Sequence, residues 1–202
     1  MASDVDILEA ALEQFARTGL RRTSTDDIAR RAGVNRATVY RRFGTREQLV
    51  QAAFLHEAGR VLEELTTRVP DVPDDPATPF DPAENVVEAF TQAVALLRRN
   101  ALLSGMREVD PELVAIGTTT GAGDVLAFAA DVLAQRVRDL HAWRGTEPPA
   151  DPLALGQTVA RLVQSLAVSP VGGPDLDSPD SARHYARSVI VPMLLGPATA
   201  TH

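Results

Sequence analysis

The sequence predicts an all-α protein, an N-terminal group of three short helices followed by a C-terminal helical bundle. Three observations carry this. Apolar residues recur at helical spacing almost throughout, helix caps and Pro-first starts punctuate the chain at regular intervals, and no strand-period run of useful length appears. The first helix follows from Ile7, Leu8, Ala11, Leu12 and Phe15, and Gly19 stops it. Ser24 and Asp27 form a capping box that opens a short second helix through Ile28, Ala29 and Ala32, ending at Gly33. Asn35 caps a third helix running to Phe43. Thr45 and Gln48 make another capping box at the head of a long fourth helix carrying Leu49, Ala53, Leu62 and Leu65.

A proline-rich, acidic connector then spans Pro70 to Pro82 and reads as an exposed loop. Beyond it, Asp81-Pro82, Asp110-Pro111, Asp151-Pro152 and Ser178-Pro179 each fit an N-cap followed by proline at the first helical position, where its missing N–H costs nothing. Apolar stripes follow three of these starts: Val86, Phe90, Val94, Leu97; Leu155, Val159, Leu162, Leu166; and Tyr185, Val189, Met193. In the stretch 111–143, Gly117, Gly121 and Gly123 weaken a helix that Leu126, Leu133, Val137 and Leu140 support, so a break or bend is expected there. These elements divide the chain into an N-terminal domain, 1–46, and a C-terminal domain, 47–202.

Composition narrows the chemistry. All 20 basic residues are arginine, and the 202-residue chain holds neither lysine nor cysteine. That excludes Schiff-base and phosphate-loop lysines, thiol nucleophiles, disulfides and cysteine-ligated zinc. The four histidines, His56, His141, His184 and His202, lie far apart without metal-ligand spacing, and no serine sits in a nucleophile elbow. No catalytic residue, metal or cofactor is expected. The N-terminus carries Asp4, Asp6 and Glu9 where a secretory signal is basic and then apolar, and no stretch reaches membrane-spanning length. A cytoplasmic, bacterial protein without a membrane partner is the expectation.

Charge is divided unevenly. The net charge is −7, yet residues 1–46 hold nine arginines against six acids and the rest of the chain eleven against twenty-one. A basic module on an acidic body is the asymmetry expected when one small unit meets a polyanion. Within that module, residues 25–44, TDDIARRAGVNRATVYRRFG, have the layout of a helix-turn-helix: a small Ala29 where the helices touch, Gly33 for the turn, and Val34 and Val39 holding the second helix down. Its exposed side chains are then Arg36, Ala37, Thr38, Tyr40, Arg41 and Arg42. A recognition helix offers its N-terminal residues to base edges and its flanks to phosphates. Such a motif meets few base pairs, so two copies about 34–36 Å apart on double-stranded DNA are expected, supplied by a homodimer. The last two helices, Asp151 to Val168 and Ser178 to Leu195, are its candidate interface.

Residues 7–56 resemble the N-terminal domain of the TetR/AcrR family of bacterial transcriptional regulators. The matching pieces are the Ala10-Ala11 pair with Phe15, the break at Gly19, Ile28-Ala29 with Ala32-Gly33-Val34, Thr38-Val39-Tyr40 with Phe43, and Arg46-Glu47 with Leu49. The resemblance implies a repressor that releases a palindromic operator when a small effector binds the C-terminal bundle. Carried over by position, it implies that Ser24 and Thr25 open the second helix against phosphate. Arg36, Ala37, Thr38 and Arg41 then face the groove or its walls, Tyr40 meets the DNA backbone, and Arg46 takes a phosphate, with arginine standing where lysine is common. Phe90, Leu97, Met106 and Phe128 are the candidate lining of an apolar effector pocket, with His141 and Trp143 as further candidates. Two other readings compete. One is a DNA-binding dimer governed by a protein partner; the other, remote, is a nucleotide-binding oxidoreductase built on GTTTGAG, 117–123, which lacks surrounding strands and the lysine such enzymes use.

Overall fold

A computed structural model describes residues 2–109, 122–168, 173–174 and 176–197, with the backbone alone at 106, 107, 167 and 168. The described residues form helices without a strand: α1 (Asp4–Thr18), α2 (Thr25–Arg31), α3 (Arg36–Phe43), α4 (Arg46–Arg68), α5 (Pro82–Arg99), α6 (Ala101–Val109), α7 (Gly123–Arg144), α8 (Pro152–Val168) and α9 (Pro179–Tyr185). A π-helical segment, Ala186–Ile190, continues α9 into α10 (Val191–Leu195).

The starts follow their local chemistry. Ser24 accepts from the Asp27 N–H while Asp27 returns to the Ser24 N–H at 3.0 Å. Thr45 and Gln48 exchange the same pair of bonds at 2.8 and 3.2 Å. Asp81 and Asp151 accept from backbone N–H groups of the helices they precede, and Ser178 caps α9 with Pro179 at its start. A further capping box, Ser3 with Asp6, opens α1. The Asp110-Pro111 start, and the glycine motif up to Gly121, lie outside the described residues. From Gly123 to Arg144 the chain is one helix, with no break in it.

The chain forms two compact units, Met1–Leu62 with Arg98–Val125, and Glu63–Leu97 with Leu126–His202. This differs from a cut at residue 46, and the reason is packing. Leu102 of α6 is buried in the core that Ile7, Ala11, Phe15, Ile28, Ala29, Val39, Leu49 and Ala53 build. At Gly105 a Cβ would lie 2.6 Å from the Ala16 carbonyl oxygen, so glycine is what lets α6 lie directly on α1. Phe54 of α4 stacks on Phe15 with ring centroids 6.2 Å apart.

The second unit has its own apolar core, in which Val86, Val87, Phe90 and Val94 of α5 meet Val137, Leu140, Leu155, Val159, Ile190 and Leu194. Gly156 brings α8 against α7, where a Cβ would stand 2.3 Å from the Ala130 carbonyl oxygen. Pro192 has no N–H to offer the turn before it, and there the backbone opens so that the Val191 N–H bonds back to the Ala186 carbonyl, five residues away. The Arg183 guanidinium bridges Glu84 and Glu88 of α5, and Arg187 joins it on Glu84 at 2.7 Å.

Candidate nucleic-acid interface

The α2–α3 pair is set by a turn with one demanding position. Gly33 sits at φ 68°, a left-handed conformation that costs glycine nothing, and the Val34 N–H closes back on the Ala29 carbonyl at 2.9 Å. Ile28, Ala29 and Val39 are buried against α1, which fixes which side of α3 remains open. That side presents Arg36, Ala37, Tyr40 and Arg41, all exposed. Thr38 is half-buried, and both its N–H and its hydroxyl donate to the Asn35 cap, at 2.8 and 3.0 Å.

Arg36 and Tyr40 form one assembly. Arg36 donates to Asp26 Oδ2 and to the Tyr40 hydroxyl, each at 3.1 Å, and its guanidinium carbon lies 5.2 Å from the Tyr40 ring centroid. The donated bond from Arg36, then a bond from the Thr25 hydroxyl, then the nearby positive charge hold the Tyr40 phenol below its usual range. Arg41, one residue on, is exposed and forms no ion pair among the described residues.

Three expected contact residues are placed otherwise. Thr25 is buried, 6% exposed, with its hydroxyl beneath Tyr40, so it supports the surface and its side chain is not part of it. Arg42 turns away from the open side of α3 to donate to the Ala2 carbonyl at 2.7 Å and to pair with Asp4 at 3.1 Å, tying α3 to the start of α1. Arg46 donates to the carbonyls of Leu20 and Thr23, the latter at 3.3 Å, and so closes the loop between α1 and α2. Its charge compensates unpaired backbone acceptors, which a sequence motif cannot reveal. Ser24 is exposed, but its hydroxyl is engaged with Asp27 at 2.6 Å. Asp26 was not singled out from sequence; its signal was that Asp27 alone suffices for the cap.

The expected effector-lining residues differ in exposure. Phe90 is buried in the second unit's core with its ring 5.7 Å from Tyr185. Leu97 is half-buried, Phe128 is 38% exposed, and the Met106 side chain lies outside the described residues. His141 is a satisfied core residue: Nε2 lies 2.9 Å from the Leu194 carbonyl, an acceptor only, so Nε2 donates to it, and Nδ1 lies 2.9 Å from the Thr146 hydroxyl. Among the described residues no group of His, Asp and Glu is placed to hold a metal, and no helix is long and apolar enough to cross a membrane.

Residues 7–53, which include the whole α2–α3 pair, match the family model for bacterial regulatory proteins of the tetR family. The match is confined to this N-terminal stretch. The chain is 26% identical, over 97% of its own length and 89% of the relative's, to an uncharacterized HTH-type transcriptional regulator of Mycobacterium tuberculosis. Its fold is shared with the transcriptional repressor QsdR of R. erythropolis, 17% identical with a TM-score of 0.66 over 98% of this chain and 97% of that one. It is shared also with FadR of Bacillus subtilis, solved with stearoyl-CoA, at 16% identity and a TM-score of 0.60 over 96% and 100%. The N-terminal domain is thus that of a bacterial transcriptional regulator.

Proposed function

We propose that this regulator is a ligand-responsive repressor that binds a palindromic operator as a homodimer and releases it when a small, largely apolar effector occupies the C-terminal unit. The observation that carries the DNA-reading part is the open side of α3, where Arg36, Tyr40 and Arg41 project from a helix whose other side is buried. Arg36 and Ala37 are offered to base edges, and Tyr40 and Arg41 to phosphates. The last two helical stretches are the proposed dimer interface, because Leu153 and Val189, each 40% exposed, put large apolar side chains on their outer surfaces. An apolar effector suits a unit whose core is built almost wholly from aliphatic and aromatic side chains and agrees with the stearoyl-CoA held by the FadR relative. Release requires that the effector prefer a conformation unfit for DNA, by typically about 1–3 kcal/mol.

The test is binding, measured by fluorescence anisotropy, to a duplex that the protein itself selects from a random library. About six phosphate contacts across the dimer give a log–log salt slope of roughly −5, and the complex contains two chains. Long-chain acyl-CoAs are the first effectors to add, with loss of the bound duplex as the expected result. A flat salt response or a monomeric complex removes the proposal.

A further inference from the structure

We propose that Asp26 is a specificity-determining positioning residue, one that withholds the Arg36 charge from non-cognate DNA and yields it when α3 meets its own bases. The inference rests on the DNA-reading role of α3 given above. Between Arg17 and Arg46 the sequence sets two acids, Asp26 and Asp27, against nine arginines. Asp27 is used locally, accepting from the Ser24 N–H and hydroxyl and from Arg30 at 2.5 Å. Asp26 has no part in that cap. Its carboxylate crosses to the first residue of the recognition helix and meets Arg36 at 3.1 Å.

The arrangement is poorly explained as a stabilising contact. Both side chains of the pair are 57% exposed, and an ion pair so open to water adds little to folding. An acid beside a surface meant for a polyanion also repels what that surface binds. Its effect on Arg36 is more specific. A long arginine side chain is otherwise free to swing toward any phosphate, but here the carboxylate, the Tyr40 hydroxyl and the Tyr40 ring hold it in one place, and Asp26 cancels its charge. To engage a phosphate on arbitrary DNA, Arg36 must leave a carboxylate that then faces the same backbone unpaired. At the cognate site the guanidinium exchanges that partner for the two acceptors of a guanine edge while the remaining contacts engage in register. Asp26 therefore acts as a repulsive element against wrong sequences.

The experiment compares Asp26→Asn, Asp26→Glu, Arg36→Gln and the Asp26→Asn/Arg36→Gln double variant on the selected duplex and on a scrambled duplex of the same composition, across a salt series. Asp26→Asn is expected to bind the scrambled duplex about 5-fold tighter per subunit, and to steepen its salt slope by about 1.8 for a dimer. The selected duplex gains less, so the ratio between the two falls, and Asp26→Glu restores it. Arg36→Gln alone weakens the selected duplex about 10-fold or more and the scrambled one much less, through the Asp26 carboxylate it leaves unpaired, a result that does not depend on how Asp26→Asn folds. An unchanged slope and ratio in Asp26→Asn overturns the proposal, as does an equal gain when Arg36 is already glutamine, since the carboxylate would then repel DNA without acting through Arg36. A wild-type protein that binds neither duplex in a salt-dependent way overturns the DNA-reading role itself, and is recognised before any variant is compared.

Discussion

The Arg46 guanidinium donates to the Thr23 carbonyl at 3.3 Å, and the same nitrogen also meets the Leu20 carbonyl. The first residue of the longest helix in the N-terminal unit thus closes a loop 23 residues earlier in the chain. Replacing Arg46 with Gln leaves those acceptors without a charged donor and is expected to cost about 1.5–3 kcal/mol of stability. The slope of DNA binding against salt should stay within error of wild type. Thermal unfolding and the salt series together decide this, and an unchanged melting temperature with a slope shallower by one phosphate per subunit would return Arg46 to the DNA.

Two glycines should resist alanine and a third should welcome it. Alanine at Gly105 or Gly156 places a Cβ 2.6 or 2.3 Å from a backbone carbonyl oxygen that cannot move far. Each is expected to destabilise by about 1–3 kcal/mol, despite the better helix propensity of alanine. Gly59, in the middle of α4, has nothing within 4 Å of where its Cβ would be, and Gly59→Ala should stabilise by about 0.5–1 kcal/mol. Chemical denaturation of the three variants reads the contrast directly.

Arg41 offers its charge to whatever α3 meets. Arg41→Gln should weaken binding to selected and scrambled duplexes alike and reduce the salt slope by about 1.8 for a dimer, with no change in melting temperature. A loss confined to the selected duplex would instead make Arg41 a reader of bases.

Tyr40 gives a spectroscopic handle. Its phenol ionises below the ordinary tyrosine range because Arg36 and then Thr25 donate to it, so in a near-ultraviolet pH titration Arg36→Gln should move that midpoint upward. Since the folded value is lowered, the stabilising contribution is full only above the unfolded tyrosine value and is lost as pH falls through the folded one. At neutral pH the variant's stability should be close to wild type.

The capping boxes set acid tolerance. Bonds from Ser24 to Asp27, and from Ser3 to Asp6, lower each carboxyl below its ordinary 3.8. The stability they add is present above that value and is lost as pH falls through the lowered ones. Ser24→Ala should cost about 1 kcal/mol at neutral pH and bring acid unfolding on at a higher pH, followed by circular dichroism.

What the sequence made legible was whatever is decided within a turn or two. The Ser24–Asp27 and Thr45–Gln48 boxes, the Asp81-Pro82 and Ser178-Pro179 starts and the Gly33 turn need no information from elsewhere in the chain, and the helix-turn-helix followed from them. The Ser3–Asp6 box was equally local and went unread. The arginines were another matter. Arg36, Arg42 and Arg46 look like Arg41 in sequence, and what sets them apart depends on partners 10 to 40 residues away. The exposure of Phe128 and the packing of Gly105 on α1 depend likewise on how helices meet.

The π-helical segment bears on how related chains should be compared. From Ala186 to Ile190 the backbone holds one residue more than a regular helix needs to keep Ile190, Leu194 and Leu195 in the core. Removing any one of these five positions would turn the following residues by about 100° in an unbroken α-helix, so a shorter relative can recover the same core by closing the bulge. A gap of one residue in an alignment across 186–190 is therefore a change of helix type, and relatives that carry it should also lack the proline two residues beyond.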